Sequence, residues 1–160
     1  MTSISSIAFS LTAALAVLAA PANTAAPDFE GSWFLDASAS DFGMTPAPDS
    51  AATIITRADD RLVLTRKVWA SMAGNRTVEF DQATDGEAAS ASSSLGEEIP
   101  SRAWWEGDVL VLEVEVESNV GEIVVTDRMS VTDHDTMVME RTLDVPEMGE
   151  LEQTQIYRRR

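Results

Sequence analysis

Residues 109–117 read Val-Leu-Val-Leu-Glu-Val-Glu-Val-Glu, and this stretch decides the fold class. Its apolar side chains recur at every second position, at Leu110, Leu112, Val114 and Val116. Successive side chains of a strand point to opposite faces. The alternation therefore predicts a β-strand with one face packed on a core and the other face in water.

The same period-two pattern extends on both sides of this strand. It recurs in residues 61–70 before it and in 122–132 and 136–145 after it, with turn-forming residues between the runs. About nine strands are predicted and no long amphipathic helix, although the register within 83–98 stays open because that stretch has few large apolar residues. Short consecutive strands indicate one antiparallel meander. Because an open sheet would expose its edges, we expect an all-β fold closed into a barrel, with a β-sandwich as the alternative.

Composition limits the function classes. The 160 residues include no cysteine, which excludes disulfides and thiol chemistry, and the formal net charge is −16. An acidic surface repels nucleic acid and anionic lipid headgroups, so neither is expected as a partner. No residue pattern indicates a cofactor, and no protein partner can be identified from the sequence.

The N-terminal region has the pattern of an export signal. An apolar, Ala-rich run at 7–20 precedes the small-residue site Ala20-Pro21-Ala22 and is too short for a membrane span. We therefore predict a signal peptide over 1–22, with cleavage as late as residue 26 as the alternative. A linker at 23–30 and one barrel domain at 31–160 follow. The mature protein is expected in the periplasm or outside the cell, with no integral membrane segment.

The start of the predicted domain resembles a known family. The matching residues are Gly31–Asp36, Ser38, Ser40, Phe42, the Pro-rich loop 43–48, and Tyr157 with Arg158 near the end. Together they resemble small exported bacterial lipocalin-like proteins, a calycin-type family of uncharacterised function. The resemblance implies a lipocalin-like barrel; it is compatible with a cavity for a small molecule and with a narrower barrel filled by side chains, and it implies no particular ligand.

The resemblance also implies how one end of the barrel is closed. In lipocalins a Trp that corresponds to Trp33 closes the barrel floor, and an Arg of the last strand stacks over it. Such a cation–π contact stabilises by about 0.5–2 kcal/mol. Gly31 lets the backbone bend before the first strand. Among the C-terminal arginines, Arg158 is the predicted partner by parity, ahead of Arg160.

Two arginines fall on the inward parity of their strands, Arg66 and Arg141. A buried Arg needs a partner. One interpretation is an ion pair with Asp127 or Glu79, and the other is that the two arginines receive the acidic end of an amphipathic ligand. In that case we expect the pocket to be lined by Met129, Met137, Met139, Leu112 and Val114.

The tryptophans suggest a different function. Adjacent Trp104 and Trp105 must point to opposite faces of their strand, and Trp69 has the opposite parity to its apolar neighbours. The alternative to a small-molecule binder is therefore a barrel with a filled interior. Such a barrel would act as an envelope interaction or structural module through Trp69 and Trp105.

No catalytic constellation is visible in the sequence. His134 is the only histidine and lies between two aspartates in a predicted turn, which disfavours zinc. The carboxylates of Glu113, Glu115 and Glu117 lie on the solvent face of one strand. We therefore predict no catalytic residue and no metal site, and the protein is expected to be a non-catalytic binder rather than an enzyme.

Overall fold

The computed structural model of the chain describes residues 27–71 and 74–160. The predicted signal peptide and both cleavage sites lie outside these residues. The described strands are β1 Gly31–Leu35, β2 Ser50–Ala58, β3 Arg61–Ala70, β4 Gly74–Ala83, β5 Ala89–Ser93, β6 Glu98–Glu106, β7 Val109–Ser118, β8 Gly121–Asp133, β9 Thr136–Val145 and β10 Gly149–Arg159. One 3-10 helix, Ala37–Ala39, follows β1. Within the described residues no helix is long and apolar enough to span a membrane.

The ten strands form one closed antiparallel barrel. Each strand pairs with the next along the chain, and β1 pairs with β10 to close the sheet. The predicted meander and barrel are confirmed, and the β-sandwich alternative is wrong. The uncertain stretch 83–98 contains β5, a short strand that β4 and β6 flank and that raises the strand number to ten.

The barrel has a closed end at the turns 59–60 and 107–108. Trp33 is fully buried there, and its indole Nε1 donates a hydrogen bond of 2.8 Å to the carbonyl oxygen of Phe29. The Phe29 ring packs edge-on against Trp105 with ring centroids 5.5 Å apart. The guanidinium of Arg159 lies 4.5 Å from the centre of the Trp33 ring. The predicted seal of an indole under a guanidinium is therefore present.

The stacking arginine is Arg159, and the prediction of Arg158 is wrong. Trp33 and Arg159 are register partners on β1 and β10, and Tyr157 is the buried residue two positions before Arg159. Inward parity on β10 is therefore odd. Arg158 points outward and donates instead to Thr136 Oγ1 at 2.6 Å.

Part of the predicted linker 23–30 belongs to the barrel. Phe29 is a core residue, and Asp28 accepts a hydrogen bond of 2.7 Å from Arg159 Nη1 while its carbonyl accepts from Nη2. The folded domain thus begins before residue 31, because the seal needs the segment that precedes β1.

We predict that Arg159→Leu lowers the free energy of unfolding by about 1–3 kcal/mol, since it removes the cation–π contact and the bonds to Asp28. Arg158→Leu is the matched control and should cost less than about 1 kcal/mol, because that side chain is half exposed. Urea unfolding of both variants measures the difference. An equal cost for the two substitutions would contradict this account of the closed end.

Candidate ligand-binding site

Three charged side chains meet inside the barrel at mid-height, and we call them the ion triad: Arg66, Asp127 and Arg141. Arg141 holds Asp127 with two bonds, Nε to Oδ1 at 2.6 Å and Nη2 to Oδ2 at 2.9 Å. Arg66 Nη1 donates to the same Oδ2 at 2.6 Å. Asp127 and Arg141 are register partners on β8 and β9, whereas β3 lies on the far side of the barrel. The ion triad therefore spans the lumen.

The ion triad carries one net positive charge in a buried place. Asp127 is 1% exposed and Arg66 is 8% exposed. Burial alone would raise the pKa of Asp127, but the charges and hydrogen bonds of Arg141 and Arg66 outweigh it and lower that pKa to about 2. Burial alone would lower the pKa of Arg141, but the Asp127 carboxylate outweighs this effect and raises the pKa of Arg141 above its ordinary value. One carboxylate thus faces two guanidinium groups.

Arg66 has hydrogen-bond donors left over. Its Nε is buried and has no acceptor among the described residues. Its Nη2 contacts only a weak acceptor, the thioether sulfur of Met139 at 4.0 Å. A guanidinium has five N–H donors, and leaving a buried donor unpaired costs free energy. The guanidinium of Arg66 is therefore incompletely hydrogen-bonded, and Arg66 also lines the cavities of the open half.

Below the ion triad, toward the closed end, the barrel is filled. Met129, Met137, Met139 and Leu112 are fully buried in the hydrophobic core and line neither of the cavities above. Their predicted role as pocket lining is wrong. All four lie on β7–β9, at or below the level of the ion triad, and their side chains pack within the hydrophobic core.

Above the ion triad, toward the open end, the barrel is hollow. Two lobes meet there, and both are lined by Arg66, Val68, Ala70 and Arg141. We call the lobe next to β2 and β10 lobe A and the lobe next to β4 and β6–β8 lobe B. Their volumes are about 470 Å³ and about 370 Å³. The filled-interior alternative therefore applies only to the closed half.

Both lobes have a largely apolar lining, which in lobe A includes Phe42 and Leu143, but they differ in the polar side chains that they carry. Besides the shared residues and Arg76 at the rim, lobe B is lined by apolar side chains that include Val78, Phe80, Ile99, Val114, Val116 and Val125. Lobe A lies under the Pro-rich loop and contacts residues 45–49, and its inner wall carries Gln153, Gln155 and Tyr157. Of the predicted lining residues, Arg66, Arg141 and Val114 line the cavity.

The tryptophans only partly match their predicted places. Trp69 is 38% exposed near the open end, as the surface hypothesis requires. Trp105 instead packs against the core and donates from Nε1 to the carbonyl oxygen of Asp59 at 2.8 Å, so its proposed surface role is wrong. Trp104 points outward from β6, and its Nε1 donates a hydrogen bond to Glu106 Oε1. Ala103 is buried and therefore points inward, and Trp105, two positions later on the same strand, points inward with it.

The only histidine lies far from the cavity. His134 is exposed in the β8–β9 turn at the closed end, and its Nδ1 contacts Asp135 Oδ1 at 2.6 Å. Across 27–71 and 74–160, no group of three or more His, Asp or Glu side chains could hold a metal ion.

The polar wall of lobe A is not predicted from the sequence. Gln153 and Gln155 lie on the inward parity of β10, but their polarity breaks the apolar alternation that identifies a buried face. The available signal was Tyr157, which shares their parity. Because side chains alternate along a strand, an inward Tyr157 predicts that Gln153, Gln155 and Arg159 also point inward.

No family model and no curated protein matches the chain. Among solved structures, the chain is similar to the fatty-acid-binding protein isolated from Manduca sexta, with 15% identity and a TM-score of 0.49. The alignment covers 81% of this chain and 97% of that one. Nothing about a ligand of the present chain follows from this similarity, and its barrel is established by the strand pairing itself.

We predict that Asp127→Asn lowers the free energy of unfolding by about 3–5 kcal/mol at pH 7, because it leaves two buried guanidinium groups without an anion. Asp144→Asn, an exposed acid on β9, is the matched control and should have little effect. Chemical denaturation of the three proteins measures the difference.

The same comparison has a defined pH dependence. The folded pKa of Asp127, about 2, is below its ordinary value of 3.8. The stabilisation is therefore fully present above pH 3.8 and is lost as the pH falls toward 2. The gap between wild type and Asp127→Asn should shrink over that interval. A gap that stays constant down to pH 2 would show that the ion triad does not contribute in this way.

Proposed function

We propose that this protein binds a small amphipathic acid in the open half of the barrel, without covalent chemistry. The carboxylate lies against Arg66 and Arg141, and the apolar part occupies lobe B. The observation that carries the proposal is a buried net positive charge, with unused donors on Arg66, at the floor of a largely apolar cavity.

The charge of the site favours a monoanion. Asp127 neutralises one guanidinium, so a single negative charge on the ligand balances the other. A carboxylate supplies that charge and accepts charge-assisted hydrogen bonds from a guanidinium, whose planar donors match its two oxygens. A phosphate would bring more negative charge than the ion triad can balance.

The shape of the site favours an amphipathic molecule whose acid enters first. The ion triad is at mid-height and the open rim is level with Ala70. Arg66 and Ala70 are four steps apart along β3, or about 13 Å at the usual rise of a strand. Along this path the wall next to lobe B is apolar, so burial of a hydrocarbon segment is favourable by about 25 cal/mol per Å².

The decisive test compares an acid with its alcohol. We expect wild-type protein to bind dodecanoate more tightly than 1-dodecanol in calorimetry. Arg66→Met should weaken dodecanoate binding roughly 10- to 100-fold and leave 1-dodecanol unchanged, because the lost bonds are charge-assisted. The variant should stay folded, since Arg141 still pairs with Asp127 through two bonds.

Arg128→Met is the matched control, because it removes one positive charge from β8 on the outer surface, where Arg128 pairs with Glu106. It should not alter the preference for the acid. The proposal fails if dodecanoate and 1-dodecanol bind equally well to wild type, or if Arg66→Met binds both as wild type does.

We also propose that the protein is exported and is related to the small lipocalin-like proteins that its first strand resembles. The support is the apolar run at 7–20 with its small-residue site. After expression in a Gram-negative host, the periplasmic fraction should contain protein that begins at Asn23, or at Pro27 with the later cleavage, as measured by intact mass. Leu15→Arg should keep the full-length chain in the cytoplasm. Unprocessed wild-type protein in the cytoplasm would contradict the proposal.

A further inference from the structure

Lobe A has a polar wall that a simple hydrocarbon does not need. Tyr157 Oη donates to Gln155 Oε1 at 3.0 Å, and Gln155 Nε2 donates to Gln153 Oε1 at 2.7 Å. Gln153 Nε2 then donates to Thr45 Oγ1 at 2.6 Å, in the Pro-rich loop. We call these four side chains the polar ladder. They run from the buried interior to the loop that covers lobe A.

The polar ladder leaves donors for a ligand. A side-chain amide has two N–H groups, and the structure gives each of Gln153 and Gln155 one acceptor. Gln155 is 4% exposed, so water has little access to its second N–H. A methylene chain in lobe A would leave these donors without partners and exclude the water that can still reach them, which is unfavourable. An oxygen atom of a ligand would satisfy them.

The polar ladder is close to the ion triad. Gln153 is the register partner of Arg141, and Gln155 is the partner of Met139, whose sulfur contacts both arginines. Side chains of directly opposite residues lie about 5 Å apart at Cβ, and the next inward residue is about 7 Å further along the strand. A group that reaches the polar ladder must therefore be only a few bonds from a carboxylate on the ion triad.

We propose that the ligand carries a second oxygen acceptor, a hydroxyl or a carbonyl, within about four bonds of its carboxylate. Gln155 and Gln153 donate to this oxygen in lobe A, while the hydrocarbon extends into lobe B. The inference rests on the proposed function and narrows it to hydroxy and oxo acids with an apolar tail. In this arrangement the carboxylate lies at Arg66 and Arg141, where the two lobes meet, and the second oxygen and the hydrocarbon tail of the ligand lie in different lobes.

The test uses dodecanoate, 3-hydroxydodecanoate and 12-hydroxydodecanoate in calorimetry. Wild type should bind the 3-hydroxy acid about tenfold more tightly than dodecanoate, as one added hydrogen bond predicts, and the 12-hydroxy acid no more tightly than dodecanoate. Gln155→Leu should abolish the advantage of the 3-hydroxy acid without weakening dodecanoate. A purely structural role for Gln155 would instead weaken both acids together.

Gln82→Leu is the matched control, because Gln82 is a buried glutamine on β4 that lines neither lobe. It should keep the preference for the 3-hydroxy acid. The comparison of hydroxyl positions needs only wild type, so it remains decisive if Gln155→Leu fails to fold.

The outcomes separate the two proposals. If wild type binds none of the three acids, the proposed function itself fails. If all three bind equally and Arg66→Met weakens all of them, the binding of acids stands and the inference about a second oxygen is overturned. The inference also fails if Gln155→Leu retains the full preference for the 3-hydroxy acid.

Discussion

The ion pair between Arg66 and Asp127 sets the internal organisation of this barrel. It joins strands on opposite sides of the lumen, and Arg141 completes it from the strand next to Asp127. Charges at this depth must be paired and hydrogen-bonded, because their desolvation is costly. The ion triad therefore lies at the boundary between the core of the closed half and the cavity of the open half.

The closed half of the barrel contains the core that stabilises the fold, and the open half contains the cavity. A chain without cysteine must rely on its core, and the closed half supplies one through tightly packed apolar side chains sealed by Trp33 and Arg159. The open half can then leave volume empty and leave donors of Arg66 unpaired, each at a cost in free energy. The surplus of positive charge at the boundary is one such cost, and the carboxylate of the proposed ligand would offset it.

Alternation in the sequence was enough for the barrel and for the inward places of Arg66, Asp127 and Arg141, because a period of two fixes the face of each side chain. It failed on β10, where the inward glutamines hide the buried parity, and so Arg158 was predicted in place of Arg159. Alternation also does not show how far along the barrel axis an inward side chain lies. Whether an inward methionine fills the core or lines a cavity depends on the register between strands and on where charged side chains cross the lumen, and both follow from long-range contacts.

For the acid that we propose as ligand, the charge distribution predicts selectivity without attraction from a distance. The whole chain carries a net charge of −16, whereas the buried ion triad carries one net positive charge. Surface charges are screened beyond about 10 Å at moderate ionic strength, so the acidic side chains that are farther than this from the rim repel an entering acid only weakly. Inside, low polarisability strengthens its bonds to the guanidinium groups. In the proposed binding mode, selectivity for an acid therefore arises at the floor of the cavity, and the apolar wall of lobe B favours the hydrocarbon part.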